Sequence, residues 1–150
     1  MNYIDTLIDN CQKAKKATVV QEFVMNDISE LDGIKHAIYI IEQVEGDTQK
    51  AFDDFSNYKK STKRNCSKPN KVSSVMYVGS STTGLRRRIS EHLGEGVEKT
   101  YALNLKYWFD GTYKITIKEY DVSREVLQIM EDNIWHEREP AFGKSGSNNR

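Results

Sequence analysis

Val75-Met76-Tyr77-Val78-Gly79 runs without a break into Ser80-Ser81-Thr82-Thr83-Gly84 and then Leu85-Arg86-Arg87-Arg88-Ile89-Ser90-Glu91-His92. Five apolar or small residues bounded by a serine-threonine-glycine stretch read as a buried strand. The turn composition that follows, with Thr82 or Thr83 available as a cap, opens a helix over residues 84–93. Leu85, Ile89 and Leu93 fall on one face of that helix, and Gly94 ends it. Arg88 and His92 are four residues apart, so they project to the same side of the helix, next to the apolar row. A second run of the same character, Ala37-Ile38-Tyr39-Ile40-Ile41, lies upstream inside an isoleucine- and valine-rich segment, residues 36–44. It is too short for an ordinary helix and reads as a strand buried on both faces. Two strand tyrosines, a guanidinium and an imidazole thus converge on strand ends and a helix start, where an anionic substrate such as a phosphodiester could be held.

Working outward, residues 112–120 alternate, with Tyr113, Ile115 and Ile117 against Lys114, Thr116 and Lys118, and predict a third strand. Asp121 or Ser123 caps a helix that runs to about Glu139 and stops before Pro140. Its stripe of Leu127, Met130 and Ile134 faces the core, and Glu131 borders that face. Residues 101–109 fit a short amphipathic helix, with a strand as the alternative. Upstream, Ile4, Leu7, Ile8 and Cys11 follow helical spacing, so the first 34 residues are expected to form a helical extension packed on the outside of the domain. Between the two tyrosine strands lies a long connector, about residues 45–72. Phe52, Phe55 and Tyr58 predict a short helix in it, followed by ten residues of loop composition.

The expected fold class is therefore α/β, a small, mostly antiparallel three-stranded sheet flanked by helices. The chain's 150 residues, 37% hydrophobic, suffice for one domain with a real core. No apolar run reaches the roughly 18 residues of a membrane span, and the N-terminal residues do not look like a signal peptide, so a soluble, cytoplasmic protein without a membrane partner is expected. Cys11 and Cys66 lack the spacing of a zinc site or a disulfide framework and are expected to be reduced thiols.

Net charge is zero, with 22 basic and 22 acidic side chains, so overall charge does not argue for a nucleic-acid partner. Its distribution does. Lys59, Lys60, Lys63, Arg64, Lys68 and Lys71 occur in one stretch free of acids, and Arg86-Arg87-Arg88 make a second cluster. Lys63, Arg64, Lys68, Arg86 and Arg87 are the candidate nucleic-acid contacts, the first three on an inserted basic arm whose loop composition would let it order on phosphates.

The order and spacing of these pieces resemble the GIY-YIG nuclease family. Ala37-Ile38-Tyr39 stands at the first tripeptide and Tyr77-Val78-Gly79 at the second. Leu85, Arg88, Ile89 and His92 match the following helix, and Met130 to Trp135, ending at Pro140, the late helix. The resemblance covers residues 36–148 and implies a DNA endonuclease, with Tyr39, Tyr77, Arg88, His92 and Glu131 in the catalytic site. Tyr39 would handle the attacking water, with His92 an alternative or assisting proton carrier, and Glu131 would hold a magnesium or manganese ion.

Three departures stand out. Ala37 replaces the leading glycine. The insert between the tripeptides is long, as in the restriction-enzyme branch. Gly143 stands where the family often carries an asparagine, so Asn148 or Asn149 would have to supply that role from the tail. The chemistry of the residues agrees with the resemblance. Arg88 offers a planar donor pair to phosphate, and Glu131 a hard oxygen suited to magnesium, which needs few protein ligands. The expected partner is double-stranded DNA, with a homodimer or two successive nicks needed to cut both strands. A restriction-type or phage-type enzyme is favoured. The alternatives are a nucleic-acid-binding module without catalysis and a protein-interaction domain.

Overall fold

A computed structural model describes residues 2–146. In chain order it contains α1 (Tyr3–Lys16), β1 (Val19–Val24), a 3-10 turn (Ile28–Leu31), β2 (Ala37–Glu45), α2 (Thr48–Ser61) and β3 (Val75–Ser81). There follow α3 (Leu85–Ser90), which runs on into a π turn (Glu91–Glu95), a second 3-10 turn (Leu105–Tyr107), β4 (Thr112–Tyr120) and α4 (Arg124–Arg138). The sheet has four strands in the order β1-β4-β2-β3, every pairing antiparallel. Asn148 and Asn149 lie outside the described residues.

The α/β class holds, and the strand count is corrected from three to four. The extra strand, β1, comes from the extension expected to be helical. Its Val-Val-Gln-Glu-Phe-Val sequence is rich in β-branched residues, and it pairs along the outer edge of β4. Only Phe23 turns toward the core, so β1 carries no hydrophobic period to announce it. The helix ahead of it, α1, meets α4, and Ala14 together with Ala17 just past its end packs against Val126, Leu127 and Met130. The row Ile4, Leu7 and Ile8, expected to pack, is exposed. The predicted helix over residues 101–109 shrinks to the single turn Leu105–Tyr107, entered from Asn104 in the left-handed conformation with φ 56°.

Alternation along β2 sorts its side chains into two layers. Tyr39 and Ile41 face α2, α3 and the loops, together with Leu85, Ile89, Ile115 and Ile117. Ile38 and Ile40 face α4, against Val126, Leu127 and Met130 on one side and Val75 and Val78 on the other. The sheet is covered on both faces, which is why β2 reads as a continuous apolar run.

The connector between β2 and β3 is no free arm. In α2, Phe55 is fully buried, its ring 4.1 Å from that of Phe142 and edge-on to Trp108 at 5.2 Å. The stretch after α2 is pinned by backbone bonds, Asn65 N–H to Glu98 O, Ser67 N–H to Ala102 O and Asn70 N–H to Ala141 O, each 3.1 Å or shorter. Loop composition predicted its irregular backbone; tertiary hydrogen bonds hold it in place. Both cysteines are free thiols, Cys11 exposed and Cys66 buried.

Candidate active site

The register of β2 on β3 sets Tyr39 opposite Gly79 and Ile41 opposite Tyr77. With the side-chain period of two, Tyr39 and Tyr77 therefore lie on the same face. Their rings stack at 6.1 Å with 6° between the planes. Gly79 is the residue that permits this. A Cβ there would overlap the Tyr39 hydroxyl and lie 2.9 Å from Tyr77 Cε1.

From the other side come α3 and its π turn. Leu85 and Ile89 anchor α3 in the core, and Arg88 and His92, one turn apart, reach the tyrosines. The helix begins at Gly84 without a side-chain cap, so neither Thr82 nor Thr83 caps it, and Gly84 N–H instead donates to Ser81 Oγ. Gly94 ends it with φ 113°. Arg88 Nη2 donates to Tyr77 Oη at 3.2 Å, and Nη1 donates to Tyr101 O at 2.9 Å and pairs with Glu91 at 3.1 Å. Arg88 also hydrogen-bonds Tyr39. Burial opposes the guanidinium's charge, but the two tyrosine oxygens and Glu91 outweigh it, so Arg88 stays a cation.

His92 is fully buried between the tyrosines and the backbone of Leu103. Leu103 N–H donates to Nδ1 at 3.2 Å, while Nε2 lies 3.0 Å from Tyr39 Oη. Burial first, and the charge of Arg88 second, hold the imidazole's pKa well below its usual 6.5. A neutral ring that accepts at Nδ1 carries its proton on Nε2. His92 is therefore placed to donate to the Tyr39 oxygen. Burial raises the pKa of both tyrosines, Arg88 opposing and Glu131 reinforcing the shift. Tyr39 is thus a phenol whose oxygen accepts from a cation and from an imidazole N–H.

Glu131 enters from α4. Expected at the border of the core, it is buried, 1% exposed, and takes a short hydrogen bond from Ser80 Oγ. Alternation explains the meeting, because Ser80 follows Gly79 and so faces α4. Gln128 Nε2 is 3.4 Å from the other carboxylate oxygen. From the α4 side of the sheet the carboxylate adds to the upward pKa shift of both tyrosines. Sequence reasoning missed Ser80, although its place two residues after Val78 on the α4 face was a usable signal.

A scan against family models matches the GIY-YIG catalytic domain over residues 67–144, just over half of the chain. The chain belongs to the GIY-YIG nuclease family. No curated protein and no solved structure matches it. The GIY-YIG match holds Tyr77, Arg88, His92 and Glu131, while Tyr39 lies upstream of it and is brought to them by the pairing of β2 with β3.

The remaining sequence-predicted residues separate. Arg64 donates to Asn104 Oδ1 at 3.2 Å and to Gly96 O, and stacks on Tyr107 at 4.9 Å, so its guanidinium is engaged inside the chain. Arg86 is paired with Asp32 at 2.8 Å. Lys63, Lys68 and Arg87 are exposed. Gly143, at the position where the GIY-YIG resemblance implies an asparagine, has φ 96°, and a Cβ on it would lie 2.6 Å from Tyr77 Cε2. The packing of Tyr77 demands glycine there.

Proposed function

We propose that this chain is a divalent-metal-dependent DNA endonuclease of restriction or phage type, hydrolysing phosphodiester bonds in duplex DNA. The observation that carries the reading is Arg88, a half-buried cation bonded to both motif tyrosines, on which the Glu131 carboxylate also acts electrostatically. In the reaction a water oxygen bonds to phosphorus, the P–O bond to the leaving group breaks, and the water's proton must be taken up. Arg88 is suited to the charge growing on the phosphoryl oxygens. Tyr39 orients the water. Accepting its proton requires the phenolate, which burial disfavours and the Arg88 and His92 donors favour, and the leaving oxygen takes up a proton as the P–O bond breaks.

Magnesium or manganese fits the donors present. Glu131 is a single buried hard-oxygen group with the Ser80 hydroxyl beside it. Among the described residues no three His, Cys, Asp or Glu side chains cluster as a ready-made metal cage. One carboxylate completed by waters and substrate phosphate is the pattern magnesium accepts. When bound, the metal would neutralise charge on the phosphate oxygens and make a coordinated water more acidic.

The test is cleavage of mixed duplex substrates with and without magnesium, beside Glu131→Gln. Glutamine is chosen over alanine because the side chain is buried and hydrogen-bonded by Ser80. Magnesium-dependent products from the wild type and none from a folded Glu131→Gln support the reading; equal activity in the variant removes Glu131 from it. Salt-sensitive DNA binding with no cleavage under either metal would leave a binding module.

A further inference from the structure

Beside Tyr77 lies a cavity of about 290 Å³ whose wall carries Lys59, Lys68 and Lys144 and no carboxylate. The three lysines come from distant parts of the chain, α2, the segment before β3 and the segment after α4. Other lysines, Lys13, Lys50, Lys71 and Lys106, sit in ion pairs with acids, and among the described residues these three have no such acid partner. Their convergence is built by the backbone. Gly143 N–H donates to Lys68 O at 2.7 Å, aligning the segments that carry Lys68 and Lys144, and Lys59 Nζ donates to Ser67 O at 3.1 Å. Because Gly143 must stay bare against Tyr77, the first side chain available after it on that wall is Lys144.

The cavity is joined to the candidate active site. Tyr77 and Tyr101 are both wall residues, and Arg88 donates to the hydroxyl of the first and the carbonyl of the second. Three ammonium groups around one pocket repel one another unless an anion lies between them. Tyr77 and Tyr101 are what stand between an anion in this pocket and Arg88, the group assigned to the phosphate being cut. From this arrangement we infer that Lys59, Lys68 and Lys144 form a seat for the DNA phosphate next to the scissile one on the same strand. The inference rests on the endonuclease reading and gives the neutral domain its cationic grip at the point of cutting.

Counterion release distinguishes this seat from a diffuse basic surface, because the salt slope of binding counts phosphates neutralised, not lysines. In Lys59→Ala/Lys68→Ala/Lys144→Ala, the slope of log affinity against log salt should fall by about one, since a single phosphate is lost. A fall of nearly three would mean that each lysine reaches its own phosphate, and no fall that none touches DNA; either overturns the single seat. Lys68→Ala/Lys144→Ala, which keeps the Lys59–Ser67 bond, repeats the measurement if the triple variant is unstable. A second arm places one uncharged methylphosphonate at each linkage flanking the mapped cut. One of the two should weaken wild-type binding about tenfold and leave the triple variant unaffected; equal sensitivity of both proteins at both linkages refutes the seat. A wild type that binds with the lysine-dependent slope but never cuts would refute the endonuclease reading and leave an anion seat standing.

Discussion

Arg86-Arg87-Arg88 and the segment from Lys59 to Lys71 carry charge of the same sign, yet the fold distributes the two clusters by different rules. In the first, helical phase decides: Arg88 turns inward to the tyrosines, Arg86 outward to Asp32, and Arg87 to solvent. In the second, backbone pinning decides. Arg64 is spent on Gly96 and Asn104, Lys71 pairs with Glu139 at 3.0 Å, and Lys59 and Lys68 border the cavity with Lys144. Charge runs are therefore poor guides to ligand contact until the partner of each cation is known.

The sharpest break of this comparison is at Arg88. Arg88→Lys should slow single-turnover cleavage at saturating DNA by about two to three orders of magnitude with little loss of affinity, because a point charge cannot bond both tyrosines and a phosphate. If Arg86→Ala slows chemistry more than Arg88→Lys does, the assignment by helical phase fails.

Tyr39→Phe comes next, with an expected loss of about two orders of magnitude in the chemical step and unchanged DNA binding. The ring still fills its place in β2, so melting should hardly move. A wild-type rate would make Tyr39 a core residue only.

The pH profile follows from the same site. Burial lifts the Tyr39 pKa above its usual 10, so if the phenolate takes the proton, the rate should climb with pH through the neutral and alkaline range without levelling off below 10. His92 should add no inflection near 6.5, because its folded pKa lies well below that value. Its effect is on stability. The unfolded chain binds the proton near pH 6.5 and the native state does not, so this contribution is complete above 6.5 and falls by up to about 1.4 kcal/mol for each pH unit below it. His92→Gln should lose that acid-side slope in chemical denaturation.

Arg64→Ala tests the second cluster. It removes charged hydrogen bonds to Gly96 and Asn104, so stability should drop by about 1.5–3 kcal/mol while the salt slope of DNA binding stays put. A large change in slope with no loss of stability would return Arg64 to the DNA surface. Smallest of all, Arg86→Ala breaks an exposed ion pair with Asp32 and should cost about 0.2–1 kcal/mol.

Much of the fold was legible where a residue pattern has one physical outcome. The apolar run of β2 fits only a strand covered on both faces, β4 alternates, and the four-residue step from Arg88 to His92 puts both on one side of a helix. The strand β1 was not legible, because an edge strand that buries only Phe23 shows no period. The packing of α2 was half legible. Its aromatic residues predicted a helix, but the burial of Phe55 under Phe142 depends on a segment nearly ninety residues away.

The site divides the same way. The sequence by itself determined which groups are present and their local phase: two strand tyrosines, a helix pair Arg88 and His92, and a late-helix carboxylate. These follow from periods of two and 3.6 residues, which are local properties of the backbone. Only the tertiary structure decided that Leu103 N–H fixes the His92 tautomer, that Glu131 is buried against Ser80, that Gly143 must yield to Tyr77, and that Lys59, Lys68 and Lys144 meet. Each of those is a contact between segments far apart in the chain, set by strand register and by backbone bonds across loops, and no local period encodes either.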